Sequence, residues 1–599
     1  MSFGPLTGKA RVRRIHVYDG EWIPGNPEKA KAHGFEPLTL RLFGHFDGVR
    51  YRHYTRVPDF LNAVCTRENT GAWFYAHAGG LADLVFVLQY LVDNPRPGIQ
   101  ISCHFSGSSA IIVKIERGRD HWFFVDSYWL LRQPLREIAK WVGMEKGGAK
   151  ESTDTFYAPL PELIAYNELD CRILHKAIST FQFKILELGG ELQKTIASTA
   201  LCLFRRRFLK RKILTDEKVN EWARLAYYAS RVEVHERYCR EADYWDVNSS
   251  FPFAMTFPAP GNVLRMGKGL RENELGLQRA TVRVPDSDDI PPAPYRGKDK
   301  RIYFPSGQWN GWFSHIDLQW LEERGGKIVR TYECVSFEPI DDLKGYAQTI
   351  YEWRRSTDDP ALKIVLKFLL NSLYGKFGEG RQKQRVVIHP GRDFFDIPER
   401  SPGGLGREML MPGVHALVED REIPHAHVPI SVHITAIARR VLAEYLVKVP
   451  TLYYCDTDGF GAKGAEFEQS DALGALKREK HIFEADFAAP KLYAYRESSD
   501  GKWNIRSKGF NRVIDVGDDG ARSESRKINY QDFQSILQHK DIYLENFGRL
   551  RSLWREGITT PRDSVKEKTY RGTARPKRAP DGEHGATRPW SVSELREAS

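Results

Sequence analysis

The sequence has no run approaching eighteen consecutive apolar residues, which excludes a membrane-spanning helix as an organising element. Its opening, Met1-Ser-Phe-Gly-Pro5, lacks the apolar core of a signal peptide, so the expectation is a soluble chain that is not exported. Cysteine is sparse. The seven, at 65, 103, 171, 202, 239, 334 and 455, share no metal-ligand spacing, which argues against a zinc module or a disulfide framework and fits a reducing cytoplasm. Acidic residues are outnumbered, 78 against 89 Lys and Arg, leaving a formal charge of +11. That balance suits a polyanionic partner, but by itself it does not separate nucleic acid from an acidic membrane surface. Apolar and aromatic residues are plentiful, at 41% and 12% of 599, enough for the buried cores of several domains.

Thr451, Leu452, Tyr453 and Tyr454 are β-formers that run into Asp456-Thr-Asp458-Gly459, predicting a hairpin with two carboxylates at its turn. A turn needs one Asx and one Gly; the second Asp adds like-charge repulsion unless a cation sits there. Alone, the pair reads better as a solvated acidic hairpin than as a metal site. Upstream, Asp246-Val247-Asn-Ser-Ser-Phe251-Pro252 follows strand-like Tyr244-Trp245 and adds a third carboxylate where a strand ends and a helix starts. Between them, Lys363 to Phe377 predicts a helix. Offsets of 4, 8 and 11 residues put Lys363, Lys367, Asn371 and Tyr374 within about 80° of one another on one face, while Ile364, Val365, Leu366, Phe368 and Leu369 bury the other. A solvated basic face leaves Asn371-Ser-x-Tyr374-Gly375 unexplained. A triphosphate beside a stacked base accounts for all of it: lysines for phosphate oxygens, Tyr374 as a planar floor, and Gly375 to leave room for a pairing base.

The N-terminal part carries further carboxylates. Residues 13–19 read as a strand ending in Asp19-Gly-Glu21. A short strand at 72–77 is followed by Ala78-Gly-Gly-Leu-Ala-Asp83 and an apolar helix, and Asp120 to Asp126-Ser127 gives a strand and a turn. Residues 163–174 read as a helix with Tyr166 and Asp170 one turn apart. Each taken singly is an acidic turn. Phe204-Arg-Arg-Arg-Phe-Leu-Lys-Arg-Lys212 lies in a basic helical stretch that reads as a solvated helix unless the chain handles nucleic acid, in which case contact with a phosphate backbone is favoured.

In order, Asp-x-x-Ser-x-Phe-Pro, Lys-x-x-x-Asn-Ser-x-Tyr-Gly and Tyr-x-Asp-Thr-Asp resemble motifs A, B and C of family B DNA polymerases. The resemblance implies that Asp246 and Asp458, with the backbone of Val247, hold two divalent cations, Mg²⁺ or Mn²⁺. Asp456 supports them, and Lys367 binds the incoming triphosphate. Phe251, Lys363, Asn371 and Tyr374 complete the nucleotide site. Phe251 stands where the family usually has Tyr, and its flat ring can still exclude a ribose 2′-hydroxyl; Gly459 replaces a usual Ser. The N-terminal set resembles DnaQ-like 3′→5′ exonucleases, which makes Asp19, Glu21, Asp83 and Asp170 ligands of two further cations, with Tyr166 placing the attacking water. Ala78 stands where an Asn is usual, and Ser127 where a contact to single strand is common. Tyr227-Tyr-Ala-Ser-Arg231 resembles a Tyr-x-Gly-Gly loop with Ala229 and Ser230 in place of the glycines. Lys491-Leu-Tyr493 resembles the Lys-x-Tyr motif that grips a primer end, and Ser507-Lys508 a neighbouring duplex contact. By that resemblance Tyr227, Arg231, Gly375, Lys491, Tyr493, Lys508 and Ser127 touch DNA.

The implied fold class is α/β multidomain (α+β), an RNase H-like 3′–5′ exonuclease domain followed by a right-hand polymerase of palm, fingers and thumb with two insertions. The expected boundaries are 1–190 for the exonuclease, 191–240 for a basic helical linker, 241–265 and 428–514 for the palm, 346–380 for the fingers and 515–570 for the thumb. Insertions at 266–345 and 381–427 resemble the terminal-protein regions of the protein-primed phage and linear-plasmid subgroup, and 571–599 reads as a disordered basic tail. The function implied is DNA-directed, strand-displacing and protein-primed synthesis with proofreading. The partners are a DNA primer-template, dNTPs and a terminal protein, acting as a monomer in the cytoplasm of a prokaryotic host, with no membrane. Two other readings stay open: a family B polymerase that starts chains without a primer, and a nuclease or DNA-binding protein whose polymerase half is inactive.

Overall fold

The computed structural model describes the chain except for residues 24–35, 81–82, 107–108, 147–157, 402–403, 422, 509–511, 514–525, 539–540, 548–553, 556, 558–561, 570–575, 582–584 and 598–599; at 36–37, 106, 109, 541–547 and 562–569 it describes the backbone. Three sheets carry most of the described strand residues. The first has ten strands in the order 406–411, 414–420, 382–388, 99–106, 109–117, 120–126, 73–76, 15–23, 39–46 and 51–54. Ile15–Ile23 pairs in parallel with Trp73–Ala76, which pairs in parallel with Asp120–Asp126. Alternation along these strands sorts their side chains. Val17, Tyr75 and Val125 share a core with the long helix Leu160–Glu187, whereas Tyr18, Phe74 and Phe124 share another with the helix Asp83–Asp93 on the opposite face.

The strand expected to end at Asp19 runs on to Ile23. Asp19 and Glu21 are therefore two apart on one face of a strand, both turned toward the long helix.

The insertion expected at 381–427 joins this N-terminal sheet. Gln382–Ile388 pairs antiparallel with Ile99–Ser106 and with Val414–Asp420, and Val386, Ile388, Val414 and Ala416 enter the core that holds Phe74 and Leu88. Its alternating apolar residues gain a buried face only by extending an existing sheet.

The second sheet has seven strands in the order 232–234, 451–456, 459–463, 238–247, 476–489, 492–496 and 504–507. Helix Val428–Leu446, with Val432, Ile434, Ala438 and Leu442 buried, lies against it. The third, in the order 259–267, 327–340, 276–284 and 307–314, takes three strands from the first expected insertion and its edge strand 259–267 mostly from the stretch expected as palm. Backbone pairing of Arg562–Thr569 with Asp541–Phe547 and with Glu36–Pro37 ties the region after 540 to the N-terminal part.

Two expectations are corrected here. The arginines of Phe204–Phe208 are engaged by the protein itself: Arg205 Nε donates to the Gly4 carbonyl at 2.9 Å, Arg206 Nη2 to Gly8 at 2.6 Å and Arg207 Nη1 to Leu188 at 2.9 Å. They cap otherwise unsatisfied carbonyls and dock the N-terminal segment. Nor is the C-terminal segment disordered over its described parts. Ala579–Asp581 and Ala586–Arg588 form a hairpin, followed by helix Val592–Glu597. Its few apolar residues are well placed: Val592 packs with Val282, Trp309 and Phe313. No described helix is long and apolar enough to cross a membrane.

Candidate active sites

The hairpin Thr451–Asp456 and Gly459–Lys463 turns on Thr457 and Asp458. Thr457 sits at φ +65°, a left-handed conformation uncommon for a β-branched residue. It is held there because its N–H donates to the Arg231 carbonyl at 2.9 Å and its hydroxyl to Asp456 Oδ1 at 2.9 Å. Asp246 lies opposite Gly459 on the adjacent antiparallel strand, and the Val247 N–H donates to the Asp458 carbonyl at 2.8 Å, which sets Asp246 beside Asp458. Burial, then the Asp458 charge, pushes Asp246 up to about 7; burial, then Asp456, pushes Asp458 up to about 6. Glu479 adds to both shifts and is a carboxylate that no motif had marked. Asp456 differs from them in having a cation: Lys491 Nζ donates to its Oδ1 at 2.6 Å, and the Tyr454 hydroxyl donates to its Oδ2 at 3.2 Å. Gly459 is required locally, since a Cβ there would lie 2.9 Å from the Tyr244 ring and 3.0 Å from the Trp245 carbonyl.

Helix Pro360–Ser372 is capped by Asp359 and exposes Lys363, Lys367 and Asn371 on one face while Val365, Leu366, Leu369 and Leu370 are buried. It breaks at Leu373, and the short turn Tyr374–Phe377 begins. Tyr374 stacks on Phe251, centroids 4.4 Å apart at 18°, and is near enough to Asp458 for that charge to help raise its pKa to about 12, burial being the larger cause. A Cβ at Gly375 would meet nothing within 4 Å, so space is open there. A cleft of about 670 Å³ is lined by Phe251, Tyr374, Thr457, Tyr227, Lys491 and Lys508 among others. Tyr493 stands behind Lys491 with its ring 5.2 Å from that of Tyr454.

Arg231 is corrected as a DNA contact. It is 2% exposed, pairs with Glu233 at 2.8 Å and stacks 3.8 Å from the Phe304 ring centroid. Its work is to hold the carboxylate turn through its carbonyl. Ser127 is corrected likewise: it is fully buried, with its hydroxyl 3.0 Å from His77 Nδ1.

The second site lies in the ten-stranded sheet. Asp19, Glu21, Asp83 and Asp170 converge there, Asp83 and Asp170 being 3% and 5% exposed. The Gly20 N–H donates to Asp83 Oδ1 at 2.6 Å, and the Asn167 amide donates to Asp19 Oδ2 at 3.0 Å and Glu21 Oε1 at 3.2 Å. Burial raises all four, Glu21 and Asp83 to about 7; neighbouring carboxylates raise Asp19, Glu21 and Asp83 further, whereas Lys146 opposes the rise of Asp170. Asp170 Oδ1 is buried with no hydrogen-bond partner among the described residues. Lys146 is the cation present, 2.8 Å from Asp170 and 5.2 Å from the Tyr166 ring centroid. Neither Lys146 nor Asn167 was evident in the sequence. Lys146 is a lone lysine without a spacing relation to Asp170; Asn167 follows Tyr166 directly, and a helical wheel could have shown it facing the strand.

Both sets are all-oxygen, crowded with negative charge and partly desolvated, which suits hard divalent cations and not zinc. The donor chemistry therefore fits divalent ions at Asp246 and Asp458, and at Asp19, Glu21, Asp83 and Asp170.

Two carboxylate centres thus lie on separate sheets of one multidomain α/β chain. Residues 145–397 match the family described as DNA polymerase type B, organellar and viral. A "Probable DNA polymerase" of Neurospora intermedia is 27% identical over 425 residues, covering 64% of this chain and 43% of the relative. The DNA polymerase of Bacillus phage phi29 is 24% identical over 426 residues, 64% of this chain and 69% of that one. The phi29 DNA polymerase complexed with primer-template DNA and incoming nucleotide substrates matches with a TM-score of 0.66 at 19% identity, over 83% of this chain and 93% of that one. The chain spans less than half the length of the fungal relatives it matches. By sequence and fold, it is similar to the organellar and viral type B DNA polymerases.

Proposed function

We propose that this chain is a DNA-directed DNA polymerase that adds dNTPs to a primer 3′-hydroxyl, with a 3′→5′ exonuclease in its N-terminal part. The observation that carries it is the juxtaposition of Asp246 and Asp458, with Tyr374 near enough to feel the Asp458 charge and stacked on Phe251, next to a cleft that Phe251, Tyr374 and Thr457 line. Two bound Mg²⁺ or Mn²⁺ ions would supply activation of the hydroxyl and neutralisation of the leaving pyrophosphate. Asp246 and Asp458, with the Val247 backbone, would hold those ions, and Asp456 is oriented by Lys491. Lys367 and Lys363 meet the triphosphate, Asn371 lies on the same face, and Tyr374 carries the base. Phe251 stacks on Tyr374 and is a flat barrier where a ribose 2′-hydroxyl would lie. In the exonuclease, Asn167 fixes Asp19 and Glu21, and Tyr166 with Lys146 orients water toward the scissile phosphate.

On this reading residues 1–190 are the exonuclease, 241–265 and 428–514 the palm, 346–380 the fingers and 515–570 the thumb. The placement of the insertions at 266–345 and 381–427 supports protein-primed, strand-displacing synthesis with a terminal protein as partner. The test uses purified protein, Mg²⁺ and a 5′-labelled primer on a single-stranded circle, with and without dNTPs. Products longer than one circuit are expected with dNTPs, and shortening without them. A primer that only shortens in both lanes refutes the polymerase assignment.

A further inference from the structure

The C-terminal segment reaches into the polymerisation cleft. Its hairpin is fastened at several points: Thr587 N donates to the His235 carbonyl at 2.9 Å, Arg237 N to the Gly585 carbonyl at 3.0 Å, and Ser306 N to the Trp590 carbonyl at 3.0 Å. Arg578, 2% exposed, pairs with Asp289 at 2.5 Å and donates to Thr587 Oγ1 at 3.0 Å. One residue before this anchor, Lys577 Nζ bonds the Ile302 carbonyl, lies 4.9 Å from the Tyr303 ring centroid, and lines the same cleft as Phe251, Tyr374 and Thr457.

The cleft wall is lopsided in charge. Arg296, Lys300, Lys491, Lys508 and Lys577 line it, against Glu233 as the one lining carboxylate, and Glu233 is already paired with Arg231. These cations come from four separate stretches: the hairpin Tyr295–Arg296 and Ile302–Tyr303, the loop before Leu492, the end of the strand Asn504–Ser507, and the C-terminal segment. Lys491 is paired with Asp456, but gathering the other cations beside it is unfavourable unless a polyanion lies among them.

We infer that Lys577 is a positioning residue that holds a backbone phosphate of the nucleic acid in this cleft, so that the C-terminal hairpin forms part of the grip on the primer-template. This rests on the polymerase reading of the cleft. Burial pushes Lys577 down to about 8, so it keeps a positive charge over much of the neutral range, and a phosphate beside it would raise it again.

The test measures primer-template binding by fluorescence anisotropy across a salt series for the full chain, for Lys577→Gln and for Lys577→Arg, with single-nucleotide addition kinetics alongside. For Lys577→Gln, the slope of log affinity against log salt is expected to shrink by about 0.9, one duplex phosphate contact. KM for primer-template should rise by about fivefold or more while kcat moves less, and Lys577→Arg should restore the slope. Equal slopes for wild type and Lys577→Gln, or an equal loss in the Gln and Arg variants, would overturn the inference and leave Lys577 as a seat for the tail. Wild-type protein that binds but does not extend refutes the polymerase reading, while a reduced Gln slope still supports the phosphate contact. Wild-type protein that does not bind overturns both.

Discussion

Replacing Asp458 by Asn should make the metal-free protein more stable while abolishing synthesis. Asp458 is held up from its ordinary 3.8 to about 6 by burial and the Asp456 charge. At 1.36 kcal/mol for each pH unit, ionising it in the fold costs on the order of 3 kcal/mol at pH 8, of which relaxation would leave about 1–2. The sign follows from linkage: the folded state binds the proton more tightly, so stability contributed by this group is present below pH 4 and declines as pH rises toward 6. Asn removes the charge and keeps the shape. In chelator at pH 8 the variant should melt about 2–8 °C higher, using about 2–4 °C per kcal/mol for a domain of 150–250 residues. At pH 4 the two proteins should melt together. Mg²⁺ should then raise the melting temperature of the wild type more than that of the variant. Differential scanning calorimetry over that pH range, with and without Mg²⁺, gives all three comparisons. A variant that melts lower than wild type in chelator at pH 8, or gains equally from Mg²⁺, refutes the account of this centre as repulsive carboxylates awaiting a cation.

Four other outcomes follow from the geometry. Gly44→Ala should abolish strand shortening and spare nucleotide addition, because its Cβ would lie 1.7 Å from Asn167 Oδ1 and displace the amide from Asp19 and Glu21; a gel assay with separate dNTP-minus lanes reads both activities. Lys146→Ala should slow exonuclease turnover by about 100-fold or more and leave extension unaffected, as expected for a group acting on the reacting water. Gly459→Ser should lower stability by about 1–3 kcal/mol through overpacking against Tyr244 and Trp245, measured by denaturant melts. Phe251→Ala should remove the stack on Tyr374 and raise ribonucleotide incorporation relative to dNTPs by about tenfold or more in single-turnover competition.

The chemistry was more legible in the sequence than its packing. Carboxylates that must meet at a turn or along a helix face leave short local patterns, so Asp246, Asp456, Asp458 and Tyr166 with Asp170 could be singled out from spacing. Groups that reach a site from afar leave none. Lys146 precedes Asp170 by 24 residues with no periodic relation to it, and Glu479 enters only because Leu476–Ala489 pairs with the Asp246 strand. Charge was the least reliable guide. The Arg205–Arg207 run looks like a phosphate ladder, yet its guanidiniums satisfy carbonyls of the protein. Arg231 lies in a loop that resembles a DNA contact but is buried against Glu233 and Phe304. The C-terminal residues read as too polar to fold alone. They fold because they borrow partners from Val234, His235 and Ser306, hundreds of positions earlier.

The pairing of Gln382–Ile388 with Ile99–Ser106 also fixes an order of events during synthesis. An N-terminal domain ending near 190 could fold while the rest of the chain is still being made, but here its sheet keeps an open edge along Ile99–Ser106 until residue 388 leaves the ribosome. At about 5–20 residues per second, the roughly 200 residues between leave that edge uncovered for about 10–40 s, an interval in which a bare strand invites pairing with other chains. His104 and Lys114 on this edge and its neighbour interrupt the apolar pattern, as expected of a strand that must wait. Cutting the gene near residue 190 would make that wait permanent.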